Sequence, residues 1–225
     1  LLLIPQILLC GLVVHFDDLT PGSETGNVPV IGDVIPSRWA YEALAVASFS
    51  KNEYEKPLFE QERLKYSDMY YEQCYLYELQ SQLETAADEA LRGEPVQQRH
   101  FDIIKACIPQ LAEVCEMEPY DGEYEYGQLS EWLNEAKSVL SHRSNATTLA
   151  LDRFLAAQYR EQGKEAFLKM KKDNYNLSLE QLVFNSEADH PYSVVGTHIV
   201  PRSAYIFLPL RPRAVLQRSQ GAGAL

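Results

Sequence analysis

The sequence predicts a mainly α fold: a bundle of helices preceded by short hydrophobic segments and followed by an irregular tail. Three observations point there. Apolar residues recur at spacings of three and four in successive segments between Ser37 and Lys172. Glycine and proline fall where those segments must end, and short polar stretches join them. After about Pro191 the character changes, to strand-like apolar pieces broken by Pro201, Pro209 and Pro212.

The bulk composition narrows the function classes. The chain has 225 residues, 46% apolar and 23% charged, which suits a folded protein rather than a disordered one. Asp and Glu outnumber Lys and Arg by 32 to 20, and no basic stripe occurs beyond Lys169, Lys171 and Lys172. Nucleic acid is excluded as an expected partner, because phosphate binding needs concentrated Lys and Arg. Many of the 14 tyrosines fall between Tyr54 and Tyr126, as expected for half-wet helix faces whose hydroxyls need partners.

Leu1 to Val14 carry no charge, and the apolar run reaches Phe16 with only His15 intervening. Sixteen helical residues span roughly 24 Å, short of a ~30 Å hydrocarbon core. Pro5 would also interrupt a simple helix. A buried core helix and the end of a membrane span or re-entrant segment both fit. The chain begins with leucine inside this run, with no charged region before it, so a piece of something longer is expected rather than a signal peptide.

Residues 17–29 are loop by composition, and Pro29, Gly32 and Pro36 discourage a long helix in the short apolar run that follows. From Ser37, an acceptable N-cap, a helix is expected with Trp39, Ala43, Val46 and Ala47 on one side, Arg38 paired to Glu42, and an end near Lys51-Asn52. Between Tyr71 and Leu91 a second face is drawn by Leu76, Leu79, Leu83, Ala86, Ala87, Ala90 and Leu91, closed by Gly93 and Pro95. Phe101, Ile104, Ile108, Leu111 and Cys115 keep a 3-4-3-4 rhythm, with a kink expected at Pro109. After an acidic, tyrosine-rich loop (117–127), Leu129, Trp132, Leu133, Ala136 and Leu140 mark a further helix. Another is expected from Asn145 to Lys172, weakened at Gly163, and the last 15 or so residues are expected to be disordered.

No signature of catalysis emerges. There is no glycine-rich phosphate loop and no Gly-x-Ser-x-Gly elbow. Glu187-x-x-His190 has the spacing of two metal ligands on one helix face, but Pro191 argues for a loop and no second pair exists. Glu118, Asp121, Glu123 and Glu125 lack EF-hand spacing and read as a solvated charge run. Asn145-Ala-Thr147 and Asn176-Leu-Ser178 match the glycosylation sequon, a pattern frequent by chance. The cysteines, Cys10, Cys74, Cys107 and Cys115, lack zinc-site spacing and are too few for a disulfide scaffold. Cys107 and Cys115 lie about two turns apart, too far to bond within one helix, so buried free thiols are expected. No catalytic, cofactor-binding or metal-ligating residue is therefore assigned.

One stretch carries a family resemblance. "IPSRWAYEALAVASF" (35–49) resembles the signature of ABC-2 type transporter permeases, in which a membrane span leads into Ser-Pro-x-Arg-Tyr-x-x-Glu-Ala-Leu and then Asn-x-Phe or similar. Pro36, Arg38, Trp39, Glu42, Ala43, Leu44 and Phe49 hold the matching places. The Ser-Pro order is altered to Pro36-Ser37, and tryptophan replaces the commoner tyrosine. "IPQILLCGLVVHFDDL" resembles the end of the preceding span, and "FSKNEYEKPLFEQE" resembles the continuation in ABCG-like bacterial exporters with a fused ATP-binding cassette. By motif the resemblance covers roughly residues 1 to 65, and by helical character and position it extends to about 185.

The resemblance implies three parts: residues 1–50 as span end, re-entrant turn and motif helix, 51–190 as an extracytoplasmic helical domain, and 191–225 as an irregular or disordered tail. It implies a cell (inner) membrane location, a dimer of permease copies, and ATP and Mg used at a cassette absent from this chain, which itself needs no cofactor. Arg38 would snorkel and Trp39 would sit in the headgroup zone. The family's final span is not visible after Pro191, as truncation or a shifted frame beyond about residue 200 would produce. A soluble all-α protein-interaction module, docking through a tyrosine-rich face, is the alternative expectation.

Overall fold

A computed structural model describes residues 36–122, 126–186, 190–203 and 205–208. The protein is mainly α. The first helix, α1 (Pro36–Ser50), has proline at its first position, where the fixed φ suits a helix and the missing N–H is not needed. It ends one residue short of the expected Lys51-Asn52 because Asn52 closes it. The Asn52 amide donates to the carbonyls of Phe49 (2.8 Å) and Ser48 (3.3 Å), and its Oδ1 accepts from the N–H groups of Tyr54 and Glu55 (3.0 and 2.8 Å). One side chain thus satisfies orphan carbonyls of the helix end and shapes the turn that follows.

α2 (Phe59–Tyr70) runs through a single π-helical turn, Tyr71–Tyr75, into α3 (Leu76–Leu91). The π turn rotates Tyr71 and Tyr75 inward, and both find the same partner. Tyr75 donates its hydroxyl proton to Gln110 Oε1 (2.9 Å), and Gln110 Nε2 donates to the Tyr71 hydroxyl (2.6 Å). Of the tyrosines expected on half-wet faces, Tyr54, Tyr70, Tyr71 and Tyr75 are buried, Tyr66 and Tyr120 are half-buried, and Tyr77 and Tyr126 are exposed.

α3 ends in a Schellman arrangement. Gly93, at φ 73°, lets its N–H reach Ala90 O and that of Glu94 reach Glu89 O. α4 (Gln98–Cys115) carries Pro109 without ending there. It closes with the same pair of bonds around Glu116, which takes φ 56° without being glycine. The Glu89 carboxylate spans the α3–α4 connection, accepting from the Gln97 backbone N–H and side-chain amide (both 2.9 Å). The Gln97 N–H bond leads the effects that hold this carboxyl below its ordinary range.

α5 (Tyr126–Gln162) is one continuous helix of 37 residues, about 55 Å long. This corrects the expectation of two helices meeting near residues 141–145. No glycine or proline lies between Gly127 and Gly163, and Arg143, in the middle of that stretch, is anchored to Asp68 of α2. The helix stops where Gly163 takes φ 80°, and α6 (Lys164–Asn174) folds back. α7 (Leu177–Phe184) is capped by Asn176, whose Oδ1 accepts from Leu179 N (3.1 Å).

The main core lies between α3, α4 and the first half of α5, with Leu76, Leu79, Ile104, Leu111, Leu133 and Leu140 fully enclosed. The strand-like pieces after Pro191 pair as an antiparallel hairpin, β1 (Tyr192–Val195) with β2 (His198–Pro201), in register Val195↔His198. Gly196 supplies the positive φ (63°) at the first turn position that a two-residue II′ hairpin requires. The hairpin joins the helical core: Ile199 is buried in it, and Tyr192 donates to Glu78 Oε2 (2.8 Å). A 3-10 turn, Tyr205–Phe207, follows. The 15 residues expected to be disordered lie outside the described residues.

Candidate functional site

Two features meet at one place, the seat of α1 on the helical body. The first is the family motif. Phe49 is 4% exposed and packs edge-on against Phe184 of α7 (centroids 5.8 Å). Around it Phe59, Tyr66 and Phe207 complete an aromatic cluster, with Ala45 and Val46 lining the docked side of α1. Apart from Arg38, the other motif residues are exposed: Pro36, Glu42 and Ala43, together with Trp39 (44%) and Leu44 (66%). The expected face of Trp39, Ala43, Val46 and Ala47 is therefore corrected: the body-facing side is Ala45, Val46 and Phe49. Arg38 lies in α1, and the expected Arg38–Glu42 pair rests on a side chain outside those described.

The second feature is a group of carboxylates beneath the same helix end. Glu55 sits in the turn that Asn52 shapes and is 5% exposed. Its Oε2 is buried with no hydrogen-bond partner, and the charge of Glu62 on α2 acts on it. Glu180 of α7 adds a third negative charge nearby and accepts from the Tyr175 hydroxyl (2.6 Å). Burial, followed by the Glu62 charge, pushes the Glu55 carboxyl up to about 8. Glu62 is raised too, first by burial. The Tyr175 hydroxyl is pushed up to about 12, chiefly because it donates to Glu180. Lys171 of α6 supplies the opposing charge, its Nζ lying over the rings of Tyr54 (5.5 Å) and Tyr175 (5.6 Å).

Chemically, this group can hold and release a proton. A recess beside it, lined by Tyr54, Leu58, Phe154, Phe167 and Met170, has a volume of about 50 Å³, well below the roughly 300–1,000 Å³ of ligand pockets. Among the described residues no group of His, Cys, Asp or Glu is placed to hold a metal ion. Of the weighed candidates, Glu118, Asp121 and His190 are not brought together with other ligands, and Glu123, Glu125 and Glu187 lie outside the described residues. Cys74, Cys107 and Cys115 are buried free thiols, and burial pushes Cys115 up to about 11, which suppresses its reactivity.

The Glu55–Glu62 pair has no sequence signature. The only hint is that two carboxylates seven residues apart flank Leu58 and Phe59, with one of them inside a turn next to an apolar cluster. Among the described residues no helix is long and apolar enough to cross a membrane, and Leu1 to Phe16 lie outside them. No protein-family model matches the chain, and neither does any curated protein or solved structure.

Proposed function

We propose that the chain is a piece of the membrane permease of an ABC-2 type, ABCG-like exporter, carrying the exporter's extracytoplasmic helical domain. The observation that carries this reading is the motif Pro36, Arg38, Trp39, Glu42, Ala43, Leu44, Phe49 on one helix whose Phe49 end is buried against the body. Phe49 anchors the C-terminal end of α1 in the aromatic cluster, while Trp39 and Leu44 expose large apolar surface further up. A helix leaving a membrane for a soluble body needs this division, apolar and aromatic surface toward the interface and a buried hinge toward the domain. The charge-free run Leu1–Val14 precedes it, and an acidic helical body of over 100 residues follows it.

In this reading the helical body stands outside the membrane, braces the exit side, and performs no chemistry. ATP hydrolysis at a cassette on the parent chain, with Mg, would drive alternating access in a dimer of permeases. The test is the DNA around this reading frame, translated in all frames. The proposal expects an upstream cassette with a glycine-rich phosphate loop and several apolar spans, and a further span downstream in some frame. A start codon directly before Leu1 with no such neighbours would overturn it in favour of a helical interaction module. The burial of Tyr70, Tyr71 and Tyr75 removes much of the tyrosine-rich face on which that module was to dock.

A further inference from the structure

We infer that the outer face of α1 is a docking surface for the apolar run Leu1–Val14 of the same chain, which packs along Ala40, Ala43, Leu44 and Ala47. This packing is expected for a span end and for a core helix alike, so it does not rest on the exporter reading.

α1 carries its polarity the wrong way round for a helix lying on a domain surface, which turns apolar residues inward and polar ones outward. Ala45, Val46 and Phe49 face the body, and Glu42, three residues before Ala45 and seven before Phe49, falls on the same line. Half a turn away, at the same spacing, lie Ala40, Ala43, Leu44 and Ala47, without one polar side chain among them. Ala40 and Ala43 are exposed, Ala47 is half-buried, and Leu44 is 66% exposed. Trp39, 44% exposed, borders the line. Among the described residues the main neighbour of α1 is α7, whose Phe184 meets Phe49, so the apolar line points away from it. A single exposed leucine needs no explanation, but a continuous apolar line with a tryptophan at its edge marks a contact surface.

The occupant is the nearest uncharged stretch of the chain. Leu1 to Val14 hold no charge, and such a run needs apolar cover of its own. As a helix it would measure about 21 Å, against about 10 Å from Ala40 to Ala47, so it can cover the whole line. Residues 17–35 join the two; fully extended they reach roughly 60 Å, ample for the run to turn back along α1. The three alanines admit a second segment close to the α1 backbone, between the larger side chains of Trp39 and Leu44. An acidic surface of a second copy fits this line poorly. The chain carries a net charge of -12, and carboxylates brought against the line would lose water and find no donor there.

The test places the photo-crosslinker p-benzoylphenylalanine in place of Leu44 or Ala43 in the full chain, held in mild detergent. Glu60, an exposed position of α2, is the control. Adducts are mapped by mass spectrometry in a mixture of light and isotope-labelled heavy chains, which separates contacts within a chain from contacts between copies. Adducts within residues 1–16 of the same chain are expected from both α1 positions and not from Glu60. Adducts joining light to heavy chains would make a second copy the occupant, and adducts with detergent alone would make the face a lipid-facing one. Either result overturns the inference. So does the absence of any adduct from α1, or an equal yield on residues 1–16 from the Glu60 control.

Discussion

Arg143→Met is expected to lower folding stability by about 3–5 kcal/mol, and Asp68→Asn by about 1–3 kcal/mol. The asymmetry comes from burial. The Asp68 side chain is 2% exposed and the Arg143 side chain 33%. The guanidinium grips the carboxylate through Nε and Nη2, and its Nη1 donates to Val114 O (2.8 Å). Removing the arginine strands a charge that water cannot reach and frees a carbonyl of α4. Removing the aspartate's charge leaves a guanidinium that still reaches solvent. The pair also joins three elements, tying α2 and the end of α4 to the middle of α5, so the cost should fall on global unfolding. Urea unfolding followed by far-UV circular dichroism checks the ranking. Losses under about 1 kcal/mol in both variants would show that the bridge contributes little, and equal large losses that burial does not set the ranking.

Phe207→Ala is the second large effect expected, about 3–5 kcal/mol by the cost of emptying a buried phenylalanine site. Phe207 is fully buried and meets Tyr66 (4.8 Å), Phe184 (4.9 Å) and Phe59 (5.7 Å), so it links the chain's last described turn to α2 and α7. Its cluster, which includes Phe49, is separate from the main core. The loss is therefore expected to appear as local opening. Exchange should quicken in α1, α7 and the 3-10 turn, while Leu79, Ile104 and Leu133 amides keep most of their protection. Uniform loss of protection would mean that the aromatic cluster and the main core unfold as one unit.

What could be read from the sequence is what periodicity encodes. Leu76, Leu79, Leu83 and Ala86 were expected on one face of α3 and are buried there. Ile104, Ile108, Leu111 and Cys115 in α4, and Leu129, Leu133, Ala136 and Leu140 in α5, behave alike. The pattern over-reached at the end of α3, where Leu91 fits the rhythm and is 85% exposed, because among the described residues none covers that last turn. It failed between residues 141 and 145, where polar residues imitate a loop. The helix is held across them by a bridge to Asp68, 75 residues earlier, and no local rule carries such information. The same limit hid the burial of Glu55. It lies beneath α1, and burial of a glutamate runs against every composition-based expectation. Glu116 in the left-handed region was likewise invisible, since glycine or asparagine is the usual signal.

The exporter reading stands on the motif helix and the apolar run before it. The most direct measurement is therefore fractionation after bacterial expression, comparing the full chain with residues 36–225. The full chain is expected to pellet with membranes, resist an alkaline carbonate wash and need detergent, while residues 36–225 stay in the soluble fraction with the same helical circular dichroism. A full chain that is soluble without detergent, and as helical as its shortened form, would contradict the account.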